Sequence, residues 1–159
     1  MKPIWLGVDW GQRRVGLALS DPTGTIASPF QVLEVRGDGA AIRGILGLLE
    51  ANRVDRLVVG LPLSLNGSES PQTLRVRRFA EKLSSKTRVP VFYVDERLSS
   101  RQAERDLIEM GVRREKRRET VDAVAASLLL QSALNGAILT PVTVSEGSVQ
   151  TEGNDVETP

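Results

Sequence analysis

The sequence predicts an α/β fold built on one mixed sheet: three antiparallel strands, then parallel strands, with helices on the faces. Three observations predict it. Apolar runs at residues 4–10 and 15–19 are separated by a short turn that begins at Gly11. Asp21-Pro22-Thr23-Gly24 has the residues of a type I turn, which returns the chain into a third strand near residues 25–35. Strands joined this tightly are antiparallel. Two later apolar runs, 56–60 and 91–95, alternate with segments of helical periodicity, the pattern of parallel strands joined by right-handed crossovers.

In the first run Ile4, Leu6, Val8 and Trp10 alternate with Trp5, Gly7 and Asp9, so each set lines one face of a strand. Asp9 breaks the pattern. Aspartate is depleted in strands, and a carboxylate among apolar neighbours needs a cation or donors to be tolerated. Gly7 and Gly11 lie two residues to either side on its face, so Asp9 is expected to stand clear for a metal ion or a phosphate. Gly37-Asp38-Gly39 interrupts the strand pattern. Residues 40–51 then place Ile42, Ile45, Leu46 and Leu49 on one helical face.

The strand at 56–60 is apolar without alternation, as expected when both faces are covered. A loop at 61–69 leads to Ser70-Pro71, an N-cap with proline at the first helical position. That helix should run to about Ser84, with Leu74, Phe79 and Leu83 inward and Arg75, Arg77, Arg78 and Lys82 outward. Pro90 opens the strand at 91–95. Ser99 with Gln102 matches a capping box, for a helix through about Met110 that Gly111 ends. Residues 112–119 read as a charged link. Residues 120–136 read as a helix apolar nearly all round, hence buried.

The 159 residues suffice for one domain and contain neither Cys nor His. That excludes disulfides, thiolate chemistry and the commonest general base and metal ligand. Acid–base or metal chemistry must fall to carboxylates, Lys, Tyr or hydroxyls. The first strand begins too early for a signal peptide and no long uncharged apolar run occurs, so the expectation is a cytoplasmic protein with no membrane partner. All 21 basic residues but only 16 of the 20 acids precede residue 140. The body is therefore modestly basic, which suits a polyanion. The remaining segment is rich in Ser, Thr, Gly and acid. The expected organisation is one domain over 1–139 and a disordered acidic tail over 140–159.

Two further carboxylates sit at awkward places. Glu96 directly follows the strand at 91–95, although Asp95 is an equally good candidate by position. Asp122 falls at the start of the last helix, where the dipole alone would favour a negative charge. Singly, each has an ordinary explanation. Jointly, Asp9, Glu96 and Asp122 occupy places that one fold brings together. Clustered acids raise each other's pKa unless a cation neutralises them, and oxygen-only donors select hard Mg²⁺ or Mn²⁺.

Gly7-Val8-Asp9-Trp10-Gly11, Gly16-Leu17-Ala18-Leu19-Ser20-Asp21, Val59-Gly60-Leu61-Pro62 with Asn66-Gly67-Ser68, Val94-Asp95-Glu96-Arg97-Leu98-Ser99 and Asp122-Ala123-Val124-Ala125-Ala126 together resemble the YqgF/RuvX family. Members are described as pre-16S rRNA nucleases and Holliday-junction-resolvase-like proteins. The resemblance covers roughly residues 3–139. It implies a ribonuclease H-like fold with a five-stranded mixed sheet. It also implies a metal-dependent endonuclease in which Asp9, Glu96 and Asp122 hold the ions, the Asp-Glu-Arg motif selecting Glu96 over Asp95. Two positions depart from expectation. Related DNA junction resolvases carry an acid or His three residues after the last Asp, where this chain has Ala125, and Ser99-Ser100 replaces a more usual Thr-Thr.

Candidate phosphate contacts are Arg13, Arg14, Ser64, Asn66, Ser68, Arg97, Arg113, Arg114, Lys116, Arg117 and Arg118. The expected partner is RNA, an rRNA precursor before a DNA junction, acted on by a monomer or homodimer. The alternatives are a junction resolvase, which needs paired sites in a symmetric dimer, and a non-catalytic factor in ribosome assembly or transcription. Asp9-Trp10-Gly11 also resembles the first phosphate motif of sugar kinases and actin-like ATPases, but that fold needs two such domains around a nucleotide.

Overall fold

The computed structural model describes residues 2–97 and 114–144; the side chains of 114–120 fall outside the described residues. The elements are β1 (Ile4–Asp9), β2 (Arg14–Ser20), β3 (Ala27–Glu34), α1 (Asp38–Ala51), β4 (Val54–Leu61), α2 (Pro71–Lys86), β5 (Val91–Asp95), α3 (Arg114–Leu134) and β6 (Thr140–Pro141). The sheet order is β3-β2-β1-β4-β5-β6. β1 to β3 form the antiparallel meander, with Gly24 N–H donating to Asp21 C=O at 2.9 Å in the turn expected there. β4 is parallel to both β1 and β5.

Alternation along the strands divides the core into two layers. Leu6 and Val8 of β1, Leu57 and Val59 of β4 and Tyr93 of β5 face α1 and α2, against Ile45, Leu49, Phe79 and Leu83. Val58, Val94 and Ala18 face the other way, against Ala126, Leu129 and Leu130 of α3. β4 is apolar without alternation because it has a helix layer on each side. The Ser70 hydroxyl accepts from Thr73 N–H, and the Thr73 hydroxyl accepts from Ser70 N–H, closing a capping box.

Four expectations are corrected. The sheet has six strands, not five: Thr140 and Pro141, assigned by composition to the tail, pair antiparallel with β5, and Val142 N–H donates to Val91 C=O at 2.9 Å. The last helix begins at Arg114, so most of the expected charged link is helical. Leu74 is 51% exposed; the inward stripe of α2 is Thr73, Val76, Phe79, Ala80 and Leu83. Gly7 does not clear space for a ligand, because a Cβ there would lie 2.8 Å from Leu130 Cβ. Its bareness seats α3 on β1. The helix expected at 99–110 and the tail from residue 145 lie outside the described residues.

Candidate active site

Asp9 ends β1 between two glycines. Its register partner on β2 is Gly16. Val8 pairs with Val59 on β4, which brings Gly60 alongside Asp9 on the other flank. Each missing side chain is replaced by something specific. A Cβ on Gly16 would fall 2.0 Å from the backbone carbonyl oxygen of Asp122, and one on Gly60 would fall 2.7 Å from Glu96 Oε2. The two glycines therefore bring α3 at Asp122 and the Glu96 carboxylate onto the sheet beside Asp9. Nothing in composition or helical periodicity signals this. Glycines within otherwise apolar strands were the available sign of close approach.

The chain after β5 delivers Glu96 by extending the parallel ladder one step, since Glu96 N–H donates to Leu61 C=O at 3.2 Å. The neighbouring acid is engaged elsewhere. Asp95 accepts from Arg97 Nε at 2.7 Å and from Arg97 N–H at 3.0 Å, and this pairing lowers its pKa. Glu96, not Asp95, is the acid of this pair that meets Asp9.

Burial pushes the Asp9 carboxyl far above the usual carboxylate range, and the Glu96 charge, a hydrogen bond to Glu96 and the Asp122 charge push it the same way. Burial also raises Glu96, opposed by the hydrogen bond it accepts from Asp9. The physical picture is one proton shared between two half-buried carboxylates. Asp122 is raised by burial and pulled back by Arg14, whose Nε donates to Asp122 Oδ2 at 2.9 Å. Because α3 starts at Arg114, Asp122 lies beyond the first turn. The helix dipole does not explain it.

Among the described residues no three acids are already spaced to hold one ion. Asp9 and Glu96 face each other, while one oxygen of Asp122 is occupied by Arg14. The donor set nevertheless suits a hard cation. It is all oxygen, it is half-buried at Asp9, and its carboxyls repel one another where a divalent ion would relieve that repulsion. Ala125, 1% exposed, brings no fourth acid to this helix face.

The expected phosphate contacts divide. Arg14 is tied to Asp122. Arg97 is tied to Asp95 and also donates from Nη1 to Leu65 C=O at 3.2 Å, pinning the 61–69 loop to the end of β5. Asn66 Oδ1 accepts from Ser68 N–H at 3.0 Å and from the Ser68 hydroxyl at 2.7 Å, while Ser64 N–H donates to Ser68 C=O at 2.9 Å. These side chains build an exposed tight loop beside Arg97. Arg13 is exposed on the β1–β2 turn. Arg114, Lys116, Arg117 and Arg118 lie on the first turns of α3 with side chains outside the described residues, and Arg113 lies wholly outside them.

Comparison with known proteins gives a consistent family. The family model described as RuvX, Holliday junction resolvase, matches residues 3–136. A protein of Roseiflexus sp. (strain RS-1) named "Putative pre-16S rRNA nuclease" is 42% identical over 130 residues, 82% of this chain and 92% of the relative. A protein of the same name from Syntrophomonas wolfei subsp. wolfei is 38% identical over 134 residues, covering 84% and 95%. T. thermophilus RuvC, solved in complex with Holliday junction substrate, superposes with a TM-score of 0.56 at 17% identity, over 88% of this chain and 99% of that one. Fowlpox virus resolvase, solved with its junction DNA, superposes at 0.51 and 15% identity, over 83% and 97%. Those two structures share the ribonuclease H-like fold with this chain. With a match spanning almost all of the sheet and its helices, and relatives near 40% identity over most of their own length, the chain belongs to the RuvX family.

Proposed function

We propose that the chain is a divalent-metal-dependent endonuclease that hydrolyses phosphodiester bonds of structured RNA, with the 16S rRNA precursor as its cytoplasmic substrate. One observation carries the reading. Asp9 is half-buried between two glycines whose vacant positions admit Glu96 on one flank and the Asp122 backbone on the other. A fold gains no stability from collecting acids in this way. The arrangement is understandable if the carboxylates are there to hold cations. The naming of the relatives as pre-16S rRNA nucleases supports RNA as the substrate.

Asp9, Glu96 and Asp122 would hold Mg²⁺ or Mn²⁺. When bound, such ions supply an activated water and neutralise charge on the phosphoryl and leaving oxygens. The chain's own part is positional and protonic. Asp9 must give up the proton it shares with Glu96 before both can act as ligands. Arg14 fixes one oxygen of Asp122 and leaves the other for coordination. By analogy with ribonuclease H-like enzymes, in-line attack by water would leave 5′-phosphate and 3′-hydroxyl ends.

The test is cleavage of a pre-16S rRNA fragment and of a four-way DNA junction, in parallel, with Mg²⁺, Mn²⁺ or chelator. Metal-dependent RNA cleavage that is lost in Asp9→Asn, with folding intact, is the expected result. Cleavage confined to the junction would replace RNA by DNA as the substrate. No cleavage with either metal, alongside binding that survives chelation, would make the protein a non-catalytic factor.

A further inference from the structure

The arginines around the carboxylates are unequally available. Arg14 is engaged by Asp122 and Arg97 by Asp95. Arg13 and Arg36 form no ion pair among the described residues, and both are exposed. Together with Gln12, Glu34, Val35 and Gly37 they line an open groove of 790 Å³.

The groove is a constructed feature. One wall is the β1–β2 turn and the other is the link from β3 to α1. Val35 N–H donates to Arg13 C=O at 3.0 Å, and Trp10 Nε1 donates to Asp38 Oδ1 at 2.9 Å. The first lining residue, Gln12, follows Asp9 by three positions, on the turn that leaves the end of β1. Within it two guanidinium groups outnumber the single carboxylate of Glu34. The groove is open along one side, which suits a chain passing through more than an enclosed small molecule.

We propose that this groove carries the sugar–phosphate backbone of the RNA strand away from the carboxylates, with Arg13 and Arg36 each meeting a phosphate. The proposal rests on the nuclease reading above and adds the direction of the strand: across the β1–β2 turn toward α1. Arg36 is thereby assigned a role that no motif suggested. Glu34, on the same wall, opposes the phosphates and limits affinity.

The experiment measures binding of a fluorescent RNA carrying a single-stranded flank, without divalent metal, as a function of salt. Variants are Arg13→Ala, Arg36→Ala, Glu34→Gln and Arg88→Ala, with melting curves to establish folding. Arg88 is exposed just before β5, at the opposite end of the sheet, and controls for net charge alone. Each groove arginine should lower the slope of log K against log salt by about 0.7, the value for one single-strand phosphate. Arg36→Lys should restore it. Glu34→Gln should tighten binding and Arg88→Ala should leave the slope unchanged. Groove variants that keep the wild-type slope, or an Arg88→Ala loss of equal size, would overturn the groove while leaving the nuclease reading intact. Failure of the wild-type protein to bind RNA at all would overturn both.

Discussion

Replacing Gly16 by Ala tests whether a bare backbone position assembles the site. The new Cβ would sit 2.0 Å from the Asp122 carbonyl oxygen, 2.3 Å from its carbonyl carbon and 3.0 Å from Ala123 N. Ordinary contact begins near 3.4 Å. The oxygen is therefore about 1.4 Å too close, well inside the repulsive wall. All three atoms belong to the backbone of α3, so no side chain can swing aside; the helix must lift from β2 by roughly the overlap. Overpacking of this kind costs about 1–3 kcal/mol, and a domain of this size then melts several degrees lower. Activity should suffer more, because a misplacement of about 1 Å near the chemistry costs on the order of 10²-fold. Melting curves and RNA cleavage rates on the same preparation check both parts. A Gly16→Ala protein that melts and cleaves like wild type would refute the claim that this glycine seats Asp122. Gly60→Ala sharpens the contrast. There the obstructed atoms are Glu96 Oε2 and Leu129 Cδ2, both at 2.7 Å and both ends of side chains. The stability loss should be smaller, with cleavage still impaired.

Gly47, in α1, has open space where a Cβ would go, so Gly47→Ala should stabilise by up to about 1 kcal/mol, seen as a raised midpoint in urea. Arg14→Gln should weaken Mn²⁺ binding by roughly ten- to a hundredfold, the usual loss when the partner of a metal ligand is removed. Calorimetry reads this directly, and unchanged or tighter Mn²⁺ binding would show that Arg14 does not orient Asp122. The pH dependence has a definite sign. Asp9, Glu96 and Asp122 have folded pKa values raised by burial, so the folded state holds more protons than the unfolded one above the ordinary carboxylate values. Their contribution to stability is complete below those values and is lost as pH rises through the raised ones. Asp21, Glu69 and Asp95 are lowered instead, so their contribution disappears only in acid, as pH falls through their depressed values. The metal-free protein should therefore lose stability from about pH 5 upward. Asp9→Asn should flatten that decline and raise the melting temperature, even though it should abolish cleavage. A variant that melts lower than wild type at neutral pH would contradict the protonated-pair picture.

Most of the sheet was legible because its strands carry their own signals. The alternation of residues 4–10, the unbroken apolar run of β4 and the Asp-Pro-Thr-Gly turn all follow from local chemistry. The misses have a shared cause. Thr140-Pro141 has no periodicity of its own and is a strand only because β5 offers an edge. Residues 114–119 are all charged, so they show no apolar stripe, yet Arg, Lys and Glu are good helix formers and α3 starts there. On α2 the inward position belongs to Thr73, not Leu74. The Thr73 hydroxyl is satisfied by Ser70 N–H and by the Pro62 carbonyl, which lets a polar residue enter where a leucine was expected. Asp9, Glu96 and Asp122 stand out in the sequence by their awkward positions, and their joint role is the proposal made above. What the sequence hid was their coupling, including the Arg14 contact to an acid 108 residues away.

On the nuclease reading proposed above, the coupling would let this chain do without histidine. A buried imidazole gives a site a group that titrates near neutrality. Here burial and mutual repulsion push two carboxyls above their ordinary range instead. On the same reading, a divalent cation would relieve that repulsion more completely than a proton does, and ion binding and proton release would become one event. Metal affinity should accordingly rise with pH over the same interval in which metal-free stability falls. On that reading stability and function are opposed at the same two side chains. The fold tolerates the conflict because β1 and β4 are held from both faces by apolar layers that Asp9 does not share.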